Sequence, residues 1–128
     1  MPTGPHILFV DDDVAFTEAV SPCLRRAGFR VTTATHFDPA LKALEGDDCP
    51  DLLLVDVVMP GSVNGFALAR MGRMRRQDLR VVYLTGYDLG DVEHEAQGPL
   101  LRKPVTEEKL LRVIEEALAV SPPRPTPN

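Results

Sequence analysis

The chain has 128 residues, a formal net charge of −5 and 44% hydrophobic residues. That is the length of one domain with enough apolar material for a core, which excludes a disordered chain. The acidic balance also speaks against a non-specific nucleic-acid binder, which needs a basic face. The first ten residues show no basic segment followed by a long apolar stretch, so no secretory signal is read there. No apolar run approaches the roughly 20 residues of a membrane span. The two cysteines, Cys23 and Cys49, form no disulfide framework, and Cys23 falls on the apolar face of an expected helix. The expected setting is cytoplasmic, with neither membrane nor nucleic acid as a partner.

In chain order, His6–Val10 reads as a buried strand. Residues 14–27 follow as a helix, with Phe16, Val20, Cys23 or Leu24, and Ala27 inward and Gly28 as the stop just past its end. Residues 29–34 form a second strand. Asp38 and Pro39 are expected as N-cap and first residue of a short helix that runs through Leu41 and Leu44 to Gly46. Residues 51–55, DLLLV, make a continuously apolar central strand. The stretch MPGSVNG from Met59 is a turn-forming loop. Residues 66–76 form a helix with Leu68 and Ala69 inward, and Gly72 in its middle costs it about 1 kcal/mol against alanine. Residues 80–84 and Leu100–Arg102 are the fourth and fifth strands. Thr106 caps a last helix that carries Leu110, Leu111, Ile114, Ala117 and Leu118 inward and ends at Pro122 and Pro123, leaving a proline-rich tail over 121–128. Repeated strand–helix alternation implies a parallel sheet covered on both faces.

Such sheets bind ligands beyond the carboxyl ends of their strands. The first strand runs into Asp11, Asp12 and Asp13, the third into Asp56, the fourth into Thr85 and the fifth into Lys103. Clustered carboxylates repel, and a hard divalent cation such as Mg²⁺ relieves the conflict with oxygen ligands. An ionised Asp beside it can act as a nucleophile toward phosphorus. Phosphoryl transfer needs the charge on three equatorial oxygens balanced. Mg²⁺, the Lys103 ammonium, and the Thr85 hydroxyl with backbone N–H groups supply one partner each.

The motifs ILFVDD, DLLLVDVVMPG, VVYLTG and LLRKPV, in this order, resemble a response-regulator receiver domain over residues 5–120. The resemblance implies a doubly wound α/β fold with five parallel strands in the order 2-1-3-4-5. It implies an acidic pair, Asp11 and Asp12, with Asp12 the more direct metal ligand. Asp56 would be phosphoacceptor and metal ligand, the Val58 backbone carbonyl the third protein ligand to Mg²⁺, and Thr85 and Lys103 the switch hydroxyl and its charge partner. A histidine kinase or histidine phosphotransfer protein would supply the phosphoryl group to a signalling domain that catalyses only its own phosphorylation and dephosphorylation.

Three departures from the family pattern stand out. Leu100 occupies the position, three before the lysine, where the family usually has an aromatic that couples to the switch threonine. The segment from Thr85 to Lys103 is short and rich in Asp, Glu and Gly, so a full fourth helix does not fit and a short turn or mobile loop is expected. The loop after Met59 and Pro60 has one residue more than usual. Thr85-Gly86-Tyr87 resembles a subgroup with a degenerate fourth helix, and residues 87–98 are expected to carry the conformational change, with Tyr87 and Leu100 as further switch positions. His6, His36 and His94 lack metal-ligand spacing. Arg70, Arg73, Arg75, Arg76 and Arg80 form a basic stripe, expected as a solvated face and less readily as a docking surface. Alternative readings are a receiver excised from a hybrid kinase, a receiver-like scaffold that is never phosphorylated, and an Asp-x-Asp phosphatase of the haloacid-dehalogenase type using Asp11 and Asp13. The last expects Thr or Val where the chain has Ala15, in a longer chain.

Overall fold

The computed structural model describes residues 3–59 and 65–119. The expected loop after Met59 and the tail over 121–128 therefore lie largely or wholly outside the described residues. The elements are β1 (His6–Val10), α1 (Val14–Arg26), β2 (Arg30–Ala34), α2 (Phe37–Glu45), β3 (Leu52–Asp56), α3 (Gly65–Arg75), β4 (Arg80–Thr85), a 3₁₀ helix (Gly90–Glu95), β5 (Leu100–Arg102) and α4 (Glu107–Ala119). All strand pairs are parallel, in the order β2-β1-β3-β4-β5. Among the described residues no helix is long and apolar enough to cross a membrane.

Alternation along the central strands divides the core into two layers. Leu8, Val10, Leu53, Val55, Val81 and Tyr83 face α2 and α3, meeting Ala40, Leu44, Phe66, Leu68 and Ala69. Ile7, Phe9, Leu52, Leu54, Val82 and Leu84 face α1 and α4, meeting Val20, Leu24, Leu110 and Ile114. Every residue of β3 is buried, as its unbroken apolar run requires of a strand covered on both faces. Each fully buried Leu or Ile contributes about 1.5–3 kcal/mol over an exposed one.

Local chemistry sets the element ends. Asp13 caps α1, its Oδ1 accepting the Phe16 N–H at 3.1 Å. At the other end Gly28 takes φ +100°, its N–H bonds Arg25 O at 3.0 Å and the Phe29 N–H bonds Leu24 O at 3.2 Å. Those paired bonds close the helix and satisfy two terminal carbonyls. They also draw Phe29, expected as the first residue of β2, into the cap, so the strand starts at Arg30. Ala27, expected inward, is the exposed C-cap residue.

The start of α2 differs from expectation. Its N-cap is His36, and Asp38 and Pro39 lie within the first turn. Proline is tolerated there because the first-turn N–H groups have no partner in the helix. The earlier start puts Phe37 against the same core layer as Ala40 and Leu44, one face of a helix. Gly72 in α3 has a packing reason. A Cβ there would lie 2.6 Å from Leu79 Cδ2 and 3.3 Å from Leu44 Cδ2, so α2 and α3 meet over a glycine.

Candidate functional site

Strand register alone gathers the chemistry. Val10 pairs with Val55, so the next residues, Asp11 and Asp56, emerge side by side where the strand order switches direction. Asp56 pairs with Leu84, and Thr85 ends β4 one residue further on. Thr85 pairs with Arg102, which sets Lys103 just past the end of β5.

One carboxylate oxygen from each of Asp11, Asp12 and Asp56 lies within 4.8 Å of the others. Asp11 is fully buried and Asp56 is 5% exposed, while Asp12 is exposed. Asp11 Oδ1 accepts the Asp13 N–H at 2.9 Å, and its Oδ2 meets Lys103 Nζ at 2.6 Å. Asp56 Oδ1 accepts the Val58 N–H at 3.2 Å, and its Oδ2 lies 3.6 Å from Lys103 Nζ. The sequence-predicted acids and the lysine thus converge.

The electrostatics of this cluster are out of balance. Burial, then the charge of Asp11, push the Asp56 carboxyl up to about 7, with Asp12 adding to the rise; Lys103 and the Val58 N–H pull against them. Burial works against the Lys103 ammonium too, but Asp11, by hydrogen bond and charge, and the charges of Asp56 and Asp13 outweigh it and hold its pKa above the ordinary value. One ammonium faces three carboxylates. The donor set, all oxygen and under-neutralised, fits a hard divalent cation such as Mg²⁺.

Thr85 is fully buried, and its hydroxyl is engaged locally. It accepts the Tyr87 N–H at 3.0 Å and donates to Tyr87 O at 3.2 Å. Tyr87 is 65% exposed and takes part here through its backbone. Leu100 packs against the core layer under α2 and α3. It pairs in register with Tyr83, whose buried ring lies 5.3 Å from that of Phe66. The aromatic missing from β5 has a counterpart one strand away on the same sheet face. The short fourth helix is as expected: one 3₁₀ stretch of six residues with none buried.

Three contributors were not read from the sequence. The Phe16 ring lies 4.5 Å from Lys103 Nζ and packs edge-on to Phe9, steadying the ammonium from α1. Arg102 bonds Tyr87 O at 3.1 Å and Glu93 Oε1 at 2.9 Å. Tyr83 is the third. For Phe16 the only signal was its place in the first turn after the acids, and for Arg102 its place beside Lys103. The basic stripe is largely structural: Arg73 bonds Gln97 O, Arg75 bonds Glu45 O, and Arg76 bonds Asp51 and Asp78. Asp13, the second acid of the phosphatase reading, is the helix cap.

A doubly wound parallel sheet with carboxylates and a lysine at its switch point defines a small acidic-site α/β domain. Its sequence over residues 7–115 matches the response regulator receiver domain family. It is 31% identical over 119 residues to the response regulator receiver protein CpdR of Brucella abortus, covering 88% of this chain and 96% of that protein. With the transcriptional regulatory protein AfsQ1 of Streptomyces coelicolor the identity is 40% over 82 residues, 63% of this chain but only 35% of AfsQ1. The chain thus spans about a third of that longer relative. Among solved structures, the response regulator protein TrrA of Thermotoga maritima, in complex with Mg²⁺ and BeF, superposes with a TM-score of 0.76 at 26% identity, covering 89% of this chain and 99% of that one. The chain belongs to the response regulator receiver domain family and is a two-component signalling receiver, a class that works through phosphorylation of an aspartate.

Proposed function

We propose that Asp56 is the phosphoacceptor and that Asp11, Asp12, Asp56 and the Val58 carbonyl hold Mg²⁺. The observation that carries this is that Asp56 shares one cluster with Asp11 and Asp12 and has Lys103 Nζ 3.6 Å from its Oδ2. Mg²⁺, when bound, supplies positive charge to the carboxylates and to an oxygen of the transferring phosphoryl group. An Asp56 oxygen attacks phosphorus, forming a P–O bond as the P–N bond of a phosphohistidine on a kinase or phosphotransfer protein breaks. The electron pair leaves with the imidazole, which is reprotonated. Lys103 balances charge on a second phosphoryl oxygen and the Thr85 hydroxyl donates to a third. The domain then catalyses only its own phosphorylation and dephosphorylation, in the cytoplasm where phosphodonors arise from ATP. Its output is a protein–protein contact controlled by residues 87–98 with Tyr87 and Leu100, and the domain spans residues 5–120.

The test is incubation with acetyl phosphate and Mg²⁺ followed by intact mass. One phosphoryl adduct, absent in Asp56→Asn and after chelation, is the expected result. No adduct from acetyl phosphate, phosphoramidate or a phosphorylated phosphotransfer protein would overturn the reading in favour of an unphosphorylated scaffold.

A further inference from the structure

The Thr85 hydroxyl has one proton and two acceptors that need it. At rest the proton goes to Tyr87 O at 3.2 Å. To reach a phosphoryl oxygen on Asp56 it must leave that carbonyl, which then loses a hydrogen bond. Arg102 removes this obstacle. It stands opposite Thr85 in register, and one guanidinium nitrogen already donates to the same Tyr87 oxygen at 3.1 Å. Its other nitrogen holds Glu93 of the 3₁₀ helix at 2.9 Å, with Asp88 at 4.0 Å. The fork of a guanidinium makes both contacts at once, which a lysine cannot do.

We infer that Arg102 is a positioning residue for phosphoryl transfer. It keeps the Tyr87 carbonyl satisfied so that the Thr85 proton is free to turn toward the phosphoryl group, and its grip on Glu93 carries that turn to the 3₁₀ helix. The inference rests on Asp56 being the phosphoacceptor. It gives Arg102 the coupling task that an aromatic at position 100 would otherwise take.

The experiment is a double-mutant cycle on the labelling rate with acetyl phosphate and Mg²⁺, read by intact mass. Arg102→Ala should slow labelling by about three- to tenfold, the scale of one hydrogen bond. In a Thr85→Ala background the same substitution should change nothing, because no hydroxyl proton remains to be freed. A merely structural Arg102 would slow both backgrounds alike. Circular dichroism checks that each variant is folded: the Arg102 side chain is half-exposed, and Thr85→Ala removes only two heavy atoms from a buried position. Labelling of the wild type with an unchanged rate in Arg102→Ala, or an equal loss in both backgrounds, overturns the inference alone. No label in the wild type from acetyl phosphate, phosphoramidate or a phosphorylated phosphotransfer protein overturns the phosphoacceptor assignment and this inference with it.

Discussion

Asp56 is the residue where burial and the proposed function conflict. Its carboxyl stands at about 7 because burial and the neighbouring Asp11 penalise its charge. In the unfolded chain it would titrate near 3.9. A folded pKa above the unfolded one means that the folded state binds the proton more tightly. This stability is fully present below the unfolded value and is lost as pH rises through about 7. In chelator, urea unfolding of the wild type should therefore show Asp56 costing stability at pH 8 relative to pH 5, by about 1–4 kcal/mol. Asp56→Asn should remove that slope, which isolates it from the other carboxylates. Equal pH slopes in the two proteins would contradict the electrostatic account. Lys103 gives a second test at this scale. Lys103→Ala removes the only ammonium facing Asp11 and Asp56 among the described residues, yet its side chain is only partly buried. The fold should persist, while addition of a phosphoryl mimic should no longer change amide exchange over residues 87–98. A normal exchange response in the variant would remove Lys103 from the coupling. The acids and Lys103 were legible in the sequence because a strand end is a local signal and parallel register then places all strand ends together. Phe16, Tyr83 and Arg102 were not, because their contacts run between different elements and depend on how those elements pack.

Among the elements, α3 is joined to the site through backbone contacts. Gly65 donates its N–H to Val57 O at 2.9 Å, and a Cβ there would lie 2.3 Å from Asp56 O and 2.9 Å from Val57 Cα. Both are backbone atoms that cannot rotate away. Gly65→Ala should push the start of α3 off the end of β3, cost about 1–3 kcal/mol of stability and slow labelling of Asp56. Thermal unfolding and labelling on the same sample check it, and a wild-type melting temperature would show that α3 shifts freely. The 3₁₀ helix is the opposite case. It buries none of its residues, and its ties to the sheet edge include the Arg102 contact to Glu93. Elements held so lightly open at low free energy and suit a switch. Element positions were readable where periodicity met a terminator: His6–Val10 and Leu100–Arg102 match residue for residue. The start of α2 was misplaced because Asp-Pro is a strong local helix-start signal, whereas the burial of Phe37 is a tertiary one. The cap that claims Phe29 depends on a paired backbone geometry that Gly28 permits but does not by itself announce.

For the whole molecule the acidic cluster is a stability debt that the proposed cation would relieve. At the proposed site Mg²⁺ would bind the folded chain, whose three carboxylates are held together, far better than an unfolded chain in which they are apart. Selective binding to the folded state raises stability by RT ln(1 + [Mg²⁺]/Kd), which is about 1.4 kcal/mol at ten times Kd. For a domain of this size that corresponds to a rise of roughly 4–8 °C in melting temperature. The rise should grow logarithmically with Mg²⁺ and be much smaller in Asp12→Asn, which removes an exposed carboxylate without disturbing the core. Scanning calorimetry across a Mg²⁺ series at constant ionic strength, balanced with NaCl, separates site binding from screening. If Asp12→Asn showed the same rise as the wild type, the cation would be acting elsewhere on a surface of net charge −5, and the three acids would have no ion to share.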